Sequence, residues 1–490
     1  MPALRPAPGA PPAEPVFYKR RVKVHPKKVS GPFRRLKWAI LFVTLAIYYI
    51  TPWIRWDRGP HAPDQAVLVD LANRRFFFGP IEIWPQEFYY VAGLLIMAGI
   101  GLFLVTTTVG RAWCGYACPQ TVWTDLYMAV ERWIEGDRNE RIRLDKAPMS
   151  AGKLAKRVSK HAVWLLIALL TGGAWVFYFA DAPTLARQLI DGSAPFVAWA
   201  SIGVLTFTTW SLAGLMREQV CTYMCPWPRI QSAMLDEDSF IVTYKAWRGE
   251  PRGSVKERAA HPEAVGDCVD CLACVHVCPT GIDIREGPQL ECITCALCID
   301  ACNEVMAKLD RPADLIGYST LRRDVAESKG EPLKPMWKVI ARPRVLLYFT
   351  LWSAIGLGML FVLAGRERMD ILVSQERTPL YVRGWEGTGK NTPGGKRPNK
   401  DPPPPRFEVR VEGPAGALIV DPAGDAAPSP RIELAVRPDG IDSKRLHVRI
   451  PAASVAGETA EVRFVARAIE AGGGDGAEAS ATARFSGPAR

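Results

Sequence analysis

Residues 267–303 read DCVDCLACVHVCPTGIDIREGPQLECITCALCIDACN and hold eight of the twelve cysteines of the chain. Cys268, Cys271, Cys274 and Cys278, with Pro279 directly after them, follow C-x₂-C-x₂-C-x₃-C-P, the spacing of a bacterial ferredoxin. Cys292, Cys295, Cys298 and Cys302 repeat it, with Asn303 in the place of the proline. Three thiolates two residues apart wrap one cluster, while the fourth, three residues on, reaches toward its neighbour, so ligation crosses between the runs. The spacing therefore predicts one 4Fe-4S cluster on Cys268, Cys271, Cys274 and Cys302, and a second on Cys292, Cys295, Cys298 and Cys278. A zinc ribbon uses two C-x₂-C pairs with a longer spacer, and a disulfide framework belongs to small secreted domains. Asn303 alters packing after the second run, not ligation.

The rest of the chain is a membrane protein by composition. Of 490 residues, 48% are hydrophobic and 16 are tryptophan, and five apolar runs approach or reach the length that crosses a bilayer core of roughly 30 Å. They are residues 36–53, 88–109, 163–180, 196–216 and 345–364. Basic residues flank them unevenly. Lys19, Arg20, Arg21, Lys23, Lys27, Lys28, Arg34 and Arg35 precede the first run, and the 111–162 loop is again basic, whereas the 181–195 loop holds only Arg187. Positive charge stays inside, so residues 1–35 form a basic, proline-rich cytoplasmic segment and the first run is an uncleaved anchor. Residues 217–344 are then cytoplasmic, with the ferredoxin domain at about 260–310, and residues 366–490 are periplasmic. The formal charge of +11 needs no nucleic acid to explain it. Residues 54–87, with Phe76, Phe77 and Phe78, read as an interfacial or re-entrant element in the headgroup belt.

Four cysteines remain. The second run leads into Cys114-Gly115-Tyr116-Ala117-Cys118-Pro119 and the fourth into Cys221-Thr222-Tyr223-Met224-Cys225-Pro226. Both read C-x-Y-x-C-P, and each precedes an amphipathic segment, 123–137 and 230–248. The hairpin reads as duplicated. Spacing of i to i+4 puts both thiols of a motif on one helical face, with proline ending or kinking the helix beyond them. Two such pairs brought together offer four soft ligands suited to Cu(I), zinc or iron–sulfur. A reversible dithiol is an alternative, as are buried thiols that bind nothing. His25, His61, His161, His261, His276 and His447 all lie outside the depths of the spans, which argues against a transmembrane bis-histidine haem, and each reads as a surface residue.

Beyond Arg366 the pattern becomes alternating. Residues 407–411, 432–436, 446–450 and 462–465 read as half-buried strands of a β-sandwich. Residues 384–405, rich in glycine and proline, read as a long loop, and the tail beyond Gly472 is poor in large apolar residues. No catalytic constellation appears there, so the module reads as an interaction domain.

The order of these parts, five spans with twin C-x₃-C-P motifs, an inserted α+β two-cluster ferredoxin domain and an immunoglobulin-like tail, resembles the cytochrome c oxidase accessory protein family (CcoG, FixG, RdxA). The resemblance covers most of the chain. It implies a bacterial inner-membrane oxidoreductase that reduces Cu(II) to Cu(I) for assembly of a cbb-type cytochrome c oxidase, with copper chaperones or the oxidase assembly machinery as partners. Under that resemblance Cys114, Cys118, Cys221 and Cys225 are a copper site or an additional cluster site. Residues 384–405 are more proline-rich than the family pattern. A non-catalytic assembly factor, and a quinol-linked relay similar to the polyferredoxins of nitrate and nitrous oxide reduction, are the alternatives. The absence of a nucleotide fingerprint leaves the electron donor unidentified.

Overall fold

A computed structural model describes residues 23–58, 62–261, 264–333, 335–365, 371–375, 382–383, 389–391, 393–398, 406–422, 427–435, 441–451, 454, 459–469 and 475–486. The proline-rich stretch before Lys23, His61 and Gly472 lie outside the described residues. The chain divides into two compact units, one of residues 1–56 and 65–357 and the other of residues 57–64 and 358–490.

Five helices in the described residues are long and apolar enough to cross a membrane: Pro32–Trp53, Tyr89–Val109, Ala151–Val176, Phe196–Met216 and Pro343–Ala364. Their apolar side chains are mostly uncovered by protein, down to 6% buried in the fifth, as expected of helices solvated by lipid. The third begins twelve residues before the apolar run and ends four before its expected end. Ser150 caps it by accepting from the Lys153 amide, and Lys, Arg and Leu are good helix formers, so the basic segment extends the helix instead of preceding it. His161 therefore lies inside this helix, between Trp164 and Trp210, and accepts a 3.3 Å hydrogen bond from the Trp210 indole. His25 is also buried, 3.2 Å from Asp145. His25 is therefore not the surface residue the sequence implied, whereas His161 is half-buried.

The segment between the first two spans carries regular structure. Val67–Asp70, Arg75–Phe78 and Ile81–Ile83 form a three-stranded antiparallel sheet in which Phe77 is fully buried. The second amphipathic segment also departs from its counterpart. Pro119–Glu135 is one helix, but residues 230–248 divide into the end of helix Trp227–Met234, strand Ile241–Tyr244 and a short turn of helix. That strand pairs antiparallel with Ile316–Ser319, Ile241 opposite Ser319, and the pair closes over helices Ala273–Val277 and Leu297–Lys308. Residue 110 is where the second span meets this strand: Gly110 has φ 63°, and a Cβ there would stand 2.5 Å from the Phe240 carbonyl oxygen.

The second unit is an antiparallel sandwich. One sheet runs Arg431–Ala435, Arg406–Glu412, Thr459–Ile469, Asp475–Ser486; the others contain Leu418–Val420, His447–Ile450, Gly389–Asn391 and Val382–Arg383, and Ile441–Arg445, Pro393–Pro398 and Leu372–Gln375. Every second residue points inward: Phe407, Val409 and Val411 meet Val448, Ile450, Val462 and Phe464 in one core. The glycine- and proline-rich stretch read as a loop contributes strands Gly389–Asn391 and Pro393–Pro398, and the tail contributes a twelve-residue strand. Ladder hydrogen bonds from neighbouring strands supply what their side chains do not.

Candidate metal centres

The two ferredoxin runs wind in the same way. Left-handed backbone flanks the middle cysteine of each triplet: Asp270 (φ 51°) and Leu272 (55°) around Cys271, Thr294 (56°) and Ala296 (60°) around Cys295. Such conformations are costly for residues with a Cβ, and alternating them with right-handed backbone turns successive N–H groups into an anion-binding concavity. Cys302 lies in the field of Cys274, Cys271 and Cys268, and Cys298 in that of Cys295, Cys292 and Cys278. The fourth cysteine of each run thus falls beside its own or the other triplet as follows: Cys302 beside the first, Cys278 beside the second. Cys278, Cys292, Cys295 and Cys298, with Cys274, line a cavity walled by Ile282, Ile284 and Ile293. Burial pushes the Cys274, Cys292 and Cys302 thiols up to about 12. Bound metal removes that penalty by deprotonating the thiol outright, so the cradle fits a metal–sulfur cluster.

Two features were not readable from the spacing. Arg285 is buried, pairs with Asp283 and Asp270, and brings one guanidinium nitrogen 3.9 Å from Cys268 Sγ. Asn303 exchanges two hydrogen bonds with Asp314, by its amide to the carboxylate and from the Asp314 backbone.

The four C-x₃-C-P thiols also come together, though not on continuous helices. Helix Ala112–Tyr116 stops and Cys118, with extended backbone, caps the next helix, in which Pro119 is the first residue. In the second motif a π-turn over Val220–Met224 gives way to extended Cys225. Proline at the start of a helix is favourable, so the motif ends one helix and begins another at its second cysteine, against the i, i+4 expectation. Cys221 nonetheless lies in the field of Cys118, Cys114 and Cys225, and Cys114 in that of Cys118 and Cys225. Burial raises Cys114 to about 11 and Cys221 to about 12. Gln231, fully buried after the second motif, accepts a 3.2 Å bond from the Cys114 thiol and donates to Thr106, tying the two halves.

The first motif is also the seat of the ferredoxin. A Cβ on Gly115 would stand 2.6 Å from the Ile293 carbonyl oxygen and 3.0 Å from Cys295 Cα. Tyr116 donates its hydroxyl to the Cys295 carbonyl at 3.2 Å, and Arg111 donates to the carbonyls of Cys292, Leu290 and Pro228. Cys114 and Cys221 pack against a buried cluster that contains Cys295, Ile293 and Leu297. In the second motif Cys221 shares that contact, but the tyrosine does not: Tyr223 is exposed. Among the described residues, no three His, Cys, Asp or Glu side chains converge closely enough for a single metal ion.

Comparison with known proteins agrees with this division. Residues 216–321 match the family model of a 4Fe-4S dicluster domain, residues 91–136 that of a 4Fe-4S binding domain, and residues 359–488 that of the IG-like fold at the C-terminus of FixG. The chain is thus an iron–sulfur protein. A FixG-related protein from Vibrio parahaemolyticus, of known crystal structure, aligns over 25% of this chain and 98% of its own at 13% identity and a TM-score of 0.20. Nitrogen fixation protein FixG of Rhizobium meliloti is 54% identical over 89% of this chain and 88% of its own length. Protein RdxA of Cereibacter sphaeroides is 49% identical over 95% and 97%, and RdxB of the same organism 56% identical over 77% and 79%. With identity of that level over more than three quarters of both chains in each case, this protein belongs to the FixG/RdxA family.

Proposed function

We propose that the protein is a membrane-bound iron–sulfur electron-transfer protein with three metal centres. Cys268, Cys271, Cys274 and Cys302 hold one 4Fe-4S cluster, and Cys278, Cys292, Cys295 and Cys298 a second. Cys114, Cys118, Cys221 and Cys225 hold a third metal–thiolate centre at the membrane edge. The observation that carries the reading is the seating of Gly115 and Tyr116 on Cys295, which puts a ligand of the second cluster in van der Waals reach of the first C-x₃-C-P motif. For the third centre, the 4Fe-4S binding domain match over residues 91–136, which holds Cys114 and Cys118, favours iron–sulfur over a lone copper ion.

Positive-inside charge puts the ferredoxin on the cytoplasmic side and the sandwich in the periplasm. Reduction of Cu(II) to Cu(I) in support of a cbb-type oxidase is the activity the family resemblance implies, with copper as substrate and an unidentified donor. The test is anaerobic titration of the reduced, purified protein with Cu(II), following iron–sulfur absorbance, with metal content measured beforehand. Return of the oxidised-cluster absorbance, with one Cu(I) formed for each electron the reduced clusters lose, supports the reading. Clusters that stay reduced in excess Cu(II) would leave the chain a non-catalytic assembly factor.

A further inference from the structure

A cavity of about 900 Å³ opens where the first span begins. The segment before the span walls it with Lys27 and Lys28, the span with Arg34, Arg35 and Trp38, helix Pro119–Glu135 with Met128, Arg132 and Trp133, and the ferredoxin with Val277, Pro279 and Leu297. Five cations thus face two carboxylates, Asp125 and Asp137. Both carboxylates are committed elsewhere. The Asp125 oxygens accept from Arg34 at 2.9 Å, while Asp137 accepts the Lys28 amide at 3.0 Å and caps the helix that follows. Among the described residues, the side chains of Lys27, Lys28, Arg35 and Arg132 have no ion-pair or hydrogen-bond partner. The lysines are nonetheless fixed by their backbone: the Lys27 amide donates to the His276 carbonyl at 2.8 Å, and the carbonyls of His25 and Pro26 accept from Arg138 and Arg141. An ordered backbone that holds uncommitted cations around a cavity favours an anion there.

The apolar part of the cavity decides which anion. Trp133 is 79% exposed, Leu36 beside the rim is 48% exposed, and the Arg34 guanidinium lies 4.7 Å from the centre of the Trp38 ring. Tryptophan among basic residues at the start of a span is the composition of the headgroup layer. We propose that the cavity holds the phosphodiester headgroup of an anionic phospholipid, with Arg132, Lys27 and Lys28 on the phosphate and the acyl chains toward Trp38 and the first span. A soluble phosphate uses the cations alone, whereas a phospholipid also covers the exposed tryptophan. The bound lipid ties the ferredoxin to the membrane, since Val277, Pro279 and Leu297 adjoin the ligands Cys278 and Cys298 in the chain.

The experiment is native mass spectrometry of the delipidated full-length protein in detergent, titrated with phosphatidylglycerol or phosphatidylcholine. The variants are Arg132→Gln, Arg132→Lys, the double replacement Lys27→Gln with Lys28→Gln, and Lys156→Gln, an exposed basic residue of the third span outside the cavity. The parent binds one phosphatidylglycerol per chain in preference to phosphatidylcholine, and inorganic phosphate at equal concentration does not displace it. Arg132→Gln weakens that binding by about fivefold or more, Arg132→Lys restores most of it, and Lys156→Gln leaves it unchanged. Lys27 and Lys28 are exposed, so their double replacement leaves the packed core alone and weakens binding even if Arg132→Gln fails to fold. Equal binding of the two lipids, or equal weakening by Lys156→Gln and the cavity variants, would reveal only the diffuse attraction of a basic surface and overturn the proposal. Displacement by inorganic phosphate would overturn it as well, by making the cavity a site for a soluble anion.

Discussion

Tyr116 hydrogen-bonds the carbonyl of Cys295 at 3.2 Å, whereas its counterpart Tyr223 stands exposed. The duplicated motifs are therefore unequal at their tyrosines: the first is hydrogen-bonded to the ferredoxin and the second is not. The residue before each tyrosine follows the same logic, glycine where backbone must approach backbone and threonine where it need not.

Gly115 is accordingly the most size-sensitive position of the motif. Gly115→Val forces a Cβ against the Ile293 carbonyl and costs ~1–3 kcal/mol by overpacking, while Thr222→Val, at the matching place, is near neutral. Tyr116→Phe loses a buried hydrogen bond worth ~0.5–1.5 kcal/mol. Thermal unfolding and the rate of electron exchange between the ferredoxin clusters and the membrane centre report both. Equal tolerance at Gly115 and Thr222 would contradict the docked geometry.

What was legible in the sequence was what composition or spacing encodes directly. Five spans follow from apolar length, and the ferredoxin cysteines from a spacing that leaves little freedom. The helix break at Cys118 was not legible, because Pro119 satisfies both readings, the end of one helix or the first residue of another, and only the extended backbone of Cys118 decides. Nor was the docking role of Gly115, since a glycine announces freedom and not the neighbour that requires it. Strand Pro393–Pro398 is held by backbone ladders to Leu372–Gln375 and Ile441–Arg445, and ladders leave no apolar alternation to read.

Cys278→Ser distinguishes crossed from uncrossed ligation. If ligation crosses, the variant loses or converts the cluster on Cys292, Cys295 and Cys298 and keeps the other. Iron analysis and EPR of the anaerobically purified protein should show one intact 4Fe-4S signal whose relaxation no longer reports a near neighbour. Loss of the cluster on Cys268, Cys271 and Cys274 instead would reverse the assignment.

The Glu131 carboxylate ties the membrane edge together. It accepts from Arg141 at 2.8 Å and Arg217 at 2.9 Å, with Lys160 at 3.5 Å, all nearly buried. Burial alone would raise its pKa, but Arg217, Lys160 and Arg141 outweigh it and hold the group at about 2. A carboxyl depressed on folding contributes stability above its unfolded value, ~4.3, and that contribution disappears as pH falls through the folded value. Glu131→Gln should cost ~3–5 kcal/mol at neutral pH by stranding buried cations. The Tm gap between parent and variant should stay constant above about pH 5 and narrow below ~4.3. A gap that widens on acidification would mean another group carries the effect.

Serine at both Cys118 and Cys225 separates the membrane centre from the ferredoxin. These thiols sit at the helix breaks, where hydroxyls fit without disturbing a continuous helix, so the fold should survive while two of four soft ligands are lost. With a third 4Fe-4S cluster on the tetrad, iron falls from about twelve to about eight per chain, at four irons per four-cysteine site. With copper there instead, iron stays at about eight, at the same four irons per site, and copper is lost. In both cases the ferredoxin EPR signals persist, and reoxidation of the reduced clusters by Cu(II) slows by at least tenfold, because the route through the tetrad is gone. A double variant that reoxidises at the parental rate with unchanged metal content would show that the four thiols hold no centre, and that electrons leave the ferredoxin from another face.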